Sequence, residues 1–386
     1  MRSLIFVVLI CQFLACSGGG GPVVSLPTGP ILRGPQIAQA QESSIVVAWR
    51  SDVPVVGAIT CSSGLRLVDD APSTEHVFTL TGLDADTRYD YALEHDDVVV
   101  SDGHWLWTAP RDGSGSVRFA VIGDCGADSD AQREVAAGMV LSDPDLVLIT
   151  GDIVYPHGEE EKLDSAYFVP YRELIQCIPF YPAIGNHDVR TDNGDPILNS
   201  VYLPRNPVDG SERCYSFDRG PVHFVALNST QDLSPGTLQG DWLADDLAAN
   251  TQAWTVIYLH YPPYSSSDHG SDLTVRAALV PLCDRYGVDI VFTGHDHVYE
   301  RTHPLADSVV VDSDPNGDYV DPAGTVFVVT GGGGKSLYTA GWSEFTAASV
   351  AAYHHVVVDI ADDVLELQAI DRQGVVLDSM TLTKGP

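Results

Sequence analysis

The chain has 386 residues, enough for about two or three domains that each bury a core, which excludes a miniature scaffold held together only by disulfides. It carries 53 acidic and 20 basic residues, a formal net charge of -33, so no nucleic-acid partner is expected, because a phosphate backbone would be repelled. We interpret this acidity as a solvated surface that favours solubility, and it identifies no substrate.

The N-terminus predicts export. An apolar run from Leu4 to Phe13 is too short to span a bilayer as a helix, which is typical of a signal peptide. The run is followed by Leu-Ala-Cys, which ends at Cys16, and then by a serine and four glycines. This sequence resembles a bacterial lipobox followed by a flexible tether. We therefore expect residues 1–16 to be a lipoprotein-type signal peptide, Cys16 to be lipidated and residues 17–26 to be the tether. An ordinary secretory signal with a chance cysteine is the alternative. In both cases the protein leaves the cytoplasm, and a lipid anchor is its only expected membrane contact.

Residues 27–110 predict a small all-β sandwich, because short strand-like runs alternate with Gly, Pro and Asp turns. These runs cover residues 44–50, 55–61, 76–80 and 88–94. The sequence LDADTRYDY at Leu83 to Tyr91, with Trp49 on an early strand, resembles a fibronectin type III-like module. On its own, such a module would suggest a binding or adhesion protein. Residues 111–116, rich in Gly, Ser and Asp, are interpreted as a linker.

Residues 117–386 predict an α/β domain, since apolar runs typical of strands buried on both faces alternate with segments of helical spacing. The strand-like runs cover residues 117–123, 145–150, 180–184, 222–227, 255–259, 289–293 and 325–329. The helical segments cover residues 130–141, 165–176, 238–247 and 273–286. A β-rich tail at residues 353–382 completes the domain.

Five cysteines follow Cys16, an odd number without a C-x-x-C pair, so neither a zinc knuckle nor a redox motif is present. They are Cys61, Cys125, Cys177, Cys214 and Cys283. Because Cys177 and Cys214 lie at either end of one inserted segment, we hypothesise a bridge between them in an oxidising compartment.

Potential metal ligands follow five of the predicted strands. They are Asp124 (GDCG), Asp152 (GDIVY), Asn186 (GNHD), His260, and the histidines His295 and His297 of GHDH. Ligands of open α/β sheets bind at the carboxyl ends of the strands, so we expect these segments to converge. Carboxylate, amide and imidazole ligands suit iron, zinc and manganese. The pattern therefore predicts a metal cluster and not a nucleophile triad.

These ordered motifs, together with YLPRNP from Tyr202 and GHDHVYERTHP from Gly294, resemble the metallophosphoesterase (calcineurin-like phosphoesterase) superfamily, and within it the purple acid phosphatases. The resemblance covers nearly the whole mature chain. It implies an α/β sandwich of two mixed β-sheets flanked by helices, behind the fibronectin type III-like domain. Gly126 stands where other superfamily members usually carry a ligand histidine, and Tyr155 replaces that ligand.

The resemblance implies a dinuclear site. It assigns one metal ion to Asp124, Tyr155 and His297, the other to Asn186, His260 and His295, and both to Asp152. A tyrosinate favours a strongly acidic ion, so Fe(III) is expected in the first position and divalent Fe, Zn or Mn in the second. The implied activity is hydrolysis of small phosphate monoesters, of acid phosphatase type, by in-line attack of a metal-bound hydroxide.

Two further histidines are candidates for catalysis. His187 matches a family position that hydrogen-bonds substrate, and His269 matches a substrate-pocket histidine; both could stabilise developing charge or protonate the leaving alkoxide. Gly270 stands where plant members often have a second histidine, so the leaving-group acid stays open, and an exposed loop residue is the alternative for His269. Asp188 is interpreted either as orienting a histidine or as capping the following turn.

Gly331–Ser336 (GGGGKS) is not a nucleotide-binding loop, because Val329 stands where that motif needs glycine, and we expect a flexible loop near the site. Residues 190–213 are hypothesised to cover the site and to set specificity. Two alternatives to a monoesterase stay open: a phosphodiesterase or nucleotide phosphatase at the same site, and a surface binding protein that acts through its β-sandwich. The intact ligand set argues against the second alternative. No oligomeric state is predicted.

Overall fold

The structure, a computed structural model, describes residues 30–385. The predicted signal peptide, the lipidation at Cys16 and the tether lie outside these residues and stay predictions. Between residues 30 and 385, none of the helices has the length and apolar character needed to cross a bilayer.

Seven strands form an N-terminal sandwich of two antiparallel sheets. They are β1 (Ile31–Ala38), β2 (Ser44–Val55), β3 (Gly57–Cys61), β4 (Arg66–Val68), β5 (Ser73–Thr81), β6 (Arg88–His95) and β7 (Val98–Trp107). One sheet has the order β1-β2-β5 and the other β4-β3-β6-β7. Alternate residues of β5 are buried from His76 to Leu80, as expected of a strand with one face on a core. Trp49, Phe78 and Leu93 meet in that core, so the predicted all-β fold is confirmed.

A hydrogen-bonded chain of Ser51, His76 and Asp69 lies inside this sandwich. Ser51 Oγ is 3.1 Å from His76 Nε2, and His76 Nδ1 is 2.6 Å from Asp69 Oδ2. The connectivity is that of a serine-hydrolase triad. However, Ser51 is 2% exposed and His76 is fully buried, with its ring stacked 4.9 Å from that of Trp49. No substrate can reach the hydroxyl, so these contacts stabilise the core and do not form a second active site.

Strands and helices alternate through the rest of the chain. The strands are β8 (Ser116–Ile122), β9 (Leu146–Ile149), β10 (Phe180–Pro182), β11 (Tyr215–Arg219), β12 (Val222–Ala226), β13 (Trp254–Tyr258), β14 (Ile290–Thr293), β15 (Tyr299–Thr302), β16 (Leu305–Ala306), β17 (Val309–Val310), β18 (Asp318–Val320), β19 (Val326–Thr330), β20 (Thr346–Val350), β21 (His354–Ala361), β22 (Val364–Asp371) and β23 (Val376–Thr383). The α-helices are α1 (Asp130–Ser142), α2 (Arg172–Ile175), α3 (Asp195–Leu198), α4 (Leu238–Ala249) and α5 (Leu273–Tyr286).

Two mixed, seven-stranded sheets pack face to face, as predicted. Their strand orders are β10-β9-β8-β21-β22-β23-β18 and β11-β12-β13-β14-β19-β15-β20. Phe119 of the first sheet makes edge contacts with Phe224 and Phe292 of the second, at centroid distances of 5.2 and 6.2 Å. The strands that precede the predicted ligands are divided between the sheets, with β8, β9 and β10 in one and β13 and β14 in the other. The ligand loops therefore converge from two packed sheets and not from one open sheet.

The continuous helix predicted over residues 165–176 is wrong. The chain forms a π-helical turn at Asp164–Phe168 and then the separate short helix α2. Pro170 lies between them, and proline has no N–H to donate and clashes with the preceding turn. The helices α1, α4 and α5 closely match the other predicted segments.

The hypothesised bridge between Cys177 and Cys214 is also wrong, because all five described cysteines are free and buried. Cys177 lies before β10 and Cys214 before β11, and these strands belong to different sheets. Cys214 Sγ instead accepts a hydrogen bond of 3.3 Å from the Asn206 side chain. The two cysteines are therefore not brought together, although they lie at the two ends of one inserted segment.

Arg33 connects the sandwich to the α/β region. Its guanidinium is only 7% exposed and donates to both carboxylate oxygens of Asp164, at 2.8 and 3.1 Å, and to Glu160 at 3.1 Å. Arg50 donates to the same Glu160 oxygen at 2.9 Å. These bidentate, charge-assisted contacts fix the segment that begins five residues after Tyr155.

The sandwich also binds part of the segment that was hypothesised to cover the site. Gln36 donates to the carbonyl of Ser200 at 2.8 Å, and Gln39 donates to that of Leu203 at 2.9 Å. This part of residues 190–213 is therefore held at the contact between the two regions.

His223 on β12 joins two acidic residues from neighbouring elements. Its Nδ1 is 2.6 Å from Asp218 on β11, and its Nε2 is 2.9 Å from Asp246 on α4. Burial opposes the charge, but the two carboxylates raise the pKa of His223 to about 9. Because the unfolded pKa is about 6.5, this charge stabilises the fold fully below pH 6.5, and the contribution is lost as the pH rises through 9.

We predict that His223→Gln lowers the free energy of unfolding by about 2–3 kcal/mol at pH 7 and by much less at pH 10, where the wild-type ring is neutral. Urea unfolding at both pH values measures the difference. His355→Gln is the control, since burial lowers the pKa of this histidine to about 4 and it stays uncharged over that range. Equal destabilisation by His223→Gln at both pH values would contradict an ionised His223.

Candidate metal centre

Two buried carboxylates lie at the centre of the converging loops. Asp124 follows β8 and Asp152 follows β9, with φ of 54° and 56°, so the chain turns sharply at the end of each strand. Asp124 is 0% and Asp152 1% exposed. With His260, which follows β13, they form a group whose ligand atoms all lie within 4.8 Å of one another. This spacing and mixture of oxygen and nitrogen donors suit a bound cation.

Glycines allow neighbouring loops to approach these carboxylates. A Cβ on Gly185 would lie 2.3 Å from both the amide nitrogen and Oδ1 of Asp152. A Cβ on Gly294 would lie 2.6 Å from Oδ2 of Asp124. No side chain fits at these distances, so glycine is required where the GNHD and GHDH loops close on the site.

Tyr155, Asp124 and His297 contact one another. The Tyr155 hydroxyl donates to Asp124 Oδ1 at 2.9 Å and lies 3.3 Å from His297 Nε2, which is itself 3.4 Å from the same carboxylate oxygen. Burial, and then the charges of Asp124 and Asp152, raise the pKa of Tyr155. The phenol therefore keeps its proton unless a cation offsets these charges.

Asn186, His260 and His295 form a second group of contacts. His260 Nε2 is 2.8 Å from Asn186 Oδ1 and 3.5 Å from Asp152 Oδ1. The His295 ring packs edge-on against that of His260, with centroids 5.0 Å apart. Burial, and then the neighbouring His260, lower the pKa of His295 to about 3, so its imidazole is neutral and available as a ligand.

Backbone carbonyls fix two of the imidazoles. His260 Nδ1 is 2.9 Å from the Thr150 carbonyl, and His297 Nδ1 is 2.7 Å from that of Ser336. A carbonyl only accepts, so each Nδ1 carries a proton and donates it. Burial opposes a charge on His260, but the charges of Asp152 and Asp124 raise its pKa. In a neutral ring, Nε2 would direct its lone pair at a nearby oxygen, which for His260 is Asn186 Oδ1. Such an arrangement is unfavourable unless a cation or an added proton lies between the atoms, so the donors fit a metal ion.

Asp188 holds the loop that carries Asp152. Its Oδ2 accepts from the amides of Gly185 and Asp152, at 2.8 and 2.9 Å, and its Oδ1 accepts from those of Ile153 and Val154, at 2.8 and 3.1 Å. Asp188 thus neither orients a histidine nor caps the following turn, the two roles considered from sequence. Its fully buried carboxylate shapes the backbone of the GDIVY and GNHD loops.

The two candidate catalytic histidines lie beside the predicted ligands. His187 Nδ1 is 2.7 Å from the Pro156 carbonyl, and its Nε2 is 4.0 Å from Asp152 Oδ2. His269 is exposed, but its ring stacks on that of His295, with centroids 4.2 Å apart. Its position at the mouth of the site is compatible with the catalytic role predicted for it.

The glycine-rich segment Gly331–Ser336 lies against the site, as expected, but it is not a free loop. The amide of Gly333 donates to the Gly123 carbonyl, and that of Lys335 donates to the Asp124 carbonyl, each at 3.0 Å. Beyond this segment, the Tyr338 ring stacks on that of His297 at a centroid distance of 4.0 Å. The sequence assigned no role to either residue: Lys335 belongs to the Gly331–Ser336 segment, and Tyr338 follows two residues after it.

Comparisons with known proteins agree with this geometry. Residues 117–299 match the family described as calcineurin-like phosphoesterase. An uncharacterized protein of Mycobacterium tuberculosis is 31% identical over an alignment that covers 79% of this chain and 69% of that protein. Purple acid phosphatase 23 of Arabidopsis thaliana is 30% identical, over 67% of this chain and 62% of its own. The solved structure of purple acid phosphatase PPD1 from Lupinus luteus seeds superposes with a TM-score of 0.80 at 22% identity, covering 91% of this chain and 74% of that one.

We predict that Asp188→Asn lowers both the Tm of the metal-free protein and the bound metal. Asparagine keeps one accepting oxygen but replaces the other with an NH2 group that cannot accept, so the two backbone N–H groups now bonded to that carboxylate oxygen lose their partner, at a cost of about 1–3 kcal/mol each. Thermal unfolding after chelation and elemental analysis of the loaded protein measure the two effects. Asp245→Asn, at an exposed position on α4, is the matched control. A metal-free variant that melts with the wild type would contradict this role for Asp188.

Proposed function

The chain belongs to the calcineurin-like phosphoesterase family as a relative of the purple acid phosphatases, and from this membership and the geometry around Asp124, Asp152 and His260 we propose that it hydrolyses small phosphate monoesters. The observation that carries the proposal is the convergence of buried carboxylates and imidazoles from five loops. A nucleophile triad is not needed for this chemistry. The triad-like residues Ser51 and His76 of the sandwich are buried and inaccessible to substrate.

We assign the seven predicted ligands to two metal ions. One would be held by Asp124, Tyr155 and His297, the other by Asn186, His260 and His295, and Asp152 would contact both. The contacts within each group of three side chains support this division. When bound, two such ions would polarise the phosphoryl oxygens and lower the pKa of coordinated water. The buried phenol supports Fe(III) in the first position, and the second would take Fe, Zn or Mn.

His187 and His269 would act on the substrate. The Pro156 carbonyl holds the Nδ1 proton of His187 and leaves Nε2 directed into the site, where it can hydrogen-bond a phosphoryl oxygen. His269 lies at the exposed mouth, where a leaving alkoxide would depart, and it can supply that oxygen with a proton. Its amide donates to Asp296 Oδ1 at 2.9 Å, which fixes the backbone that presents the ring.

We predict that the purified protein hydrolyses p-nitrophenyl phosphate in preference to bis(p-nitrophenyl) phosphate, and that Asp152→Asn lowers kcat at least about 100-fold, because a ligand shared by both metals is weakened. Release of p-nitrophenol between pH 4 and pH 8 measures both substrates. Asp245→Asn removes a similar charge from an exposed position on α4 and should leave the rates unchanged.

The alternatives give different results in that assay. A preference for the diester would move the substrate class to phosphodiesters at the same metal centre. Hydrolysis of neither substrate by metal-loaded protein would favour the surface binding protein considered from the sequence.

We predict that iron-loaded protein absorbs visible light through charge transfer from the Tyr155 phenolate to Fe(III), and that Tyr155→Phe loses this band. Tyr261→Phe is the control, since this ring packs 4.7 Å from that of His295 but is not assigned as a ligand. Absorption spectra and iron content are measured together. A band that survives in Tyr155→Phe with iron still bound would refute the assignment of Tyr155.

A further inference from the structure

Two cationic side chains beside the metal centre have no acidic partner. The chain has 53 acidic and only 20 basic residues. Even so, within residues 30–385 neither Lys335 nor Arg190 forms an ion pair, and their contacts are an aromatic ring and a carbonyl. Both lie next to the consecutive residues Tyr155 and Pro156. Unpaired cations placed together in so acidic a protein leave their charge available to an anionic ligand.

Lys335 is held in place by its backbone and not by its charge. Its amide donates to the carbonyl of Asp124 at 3.0 Å, and the adjacent Ser336 carbonyl faces His297 Nδ1. The ammonium group lies 4.6 Å from the centre of the Tyr155 ring. A cation–π contact at a partly exposed position contributes only about 0.5–1 kcal/mol, so the ammonium keeps donors free for an oxyanion.

Arg190 contacts Pro156, the residue after Tyr155, and its side chain is exposed. Its Nη1 donates to the Pro156 carbonyl at 3.3 Å, the same carbonyl that faces His187 Nδ1 at 2.7 Å. One guanidinium nitrogen is thus engaged, and the rest of the fork can bind a carboxylate or a phosphate. Because His187 points its Nε2 into the site, Arg190 is close to where a substrate would bind.

We propose that Lys335 and Arg190 form an anion subsite, which binds a second anionic group of the substrate beyond the phosphoryl group that is hydrolysed. The inference rests on the proposed phosphomonoesterase function and narrows its substrate class to small phosphate esters that also carry a carboxylate or a further phosphate. A protein with a net charge of -33 repels such substrates, and cations at the mouth of the site would offset this repulsion locally.

The test compares glycerol 3-phosphate, which has no second anionic group, with 3-phosphoglycerate, which adds a carboxylate, and 2,3-bisphosphoglycerate, which adds a carboxylate and a phosphate. For each, kcat/KM is measured from phosphate release. For each substrate with a second anionic group, its kcat/KM is divided by the kcat/KM for glycerol 3-phosphate. Lys335→Met and Arg190→Gln should each lower this ratio by about tenfold. A lowered ratio for 3-phosphoglycerate would identify the carboxylate as sufficient, and a lowered ratio for the bisphosphate alone would identify the phosphate.

Two variants complete the design. Lys335→Arg keeps the charge and should largely restore the ratio. Arg111→Gln removes an exposed cation from the linker and should not change the ratio. Arg111 precedes β8 and Asp124 follows it, so the two residues lie at opposite ends of that strand. Equal losses on all three substrates, or unchanged ratios, would overturn the subsite while leaving phosphatase activity established. A wild type that hydrolyses none of the three would overturn the proposed function, and this inference with it.

Discussion

The structure around the site depends on two carboxylates buried next to each other. Asp124 and Asp152 end adjacent parallel strands, and neighbouring negative charges removed from water are unfavourable unless they are compensated. Backbone amides compensate part of this charge, since His295 donates to Asp124 at 2.8 Å and His187 donates to Asp152 at 2.9 Å. Imidazoles and the Tyr155 hydroxyl complete the surroundings. The residual negative charge is what makes the site suitable for metal ions.

Positions of these groups depend on the contact between the two large sheets. Three of the ligand loops leave one sheet and two leave the other, so the packing of Phe119 against Phe224 and Phe292 also sets the distance between ligands. Because a close-packed core is rigid, a displacement of one sheet against the other would also displace the ligands that the two sheets carry. The N-terminal sandwich adds to this rigidity through Arg33, which holds the segment shortly after Tyr155.

Charge has different roles at the centre of the site and at its mouth. In the centre, the carboxylates, the imidazoles and the Tyr155 phenol lie close enough together to bind cations jointly. At the mouth, Lys335 and Arg190 are positive groups that no acidic side chain in the described part of the chain neutralises. For an anionic substrate approaching a strongly acidic protein, these two side chains and the bound metals would provide the attraction that the remaining surface lacks.

The sequence by itself determined the β-sandwich, the α/β class of the second region and the ligands that directly follow its buried strands, because side chains at the carboxyl ends of such strands are placed to meet. The resemblance of its motifs to a known family added the expectation of two mixed sheets. It could not show that Asp188 binds four backbone amides, that Lys335 lies over Tyr155, or that Cys177 and Cys214 enter different sheets. It also predicted one helix where Pro170 divides two. The physical reason is that each ligand motif directly follows its own strand, so it can be recognised from neighbouring residues in the sequence. Contacts between loops depend on how the two sheets are placed against each other, and only the tertiary structure decides that.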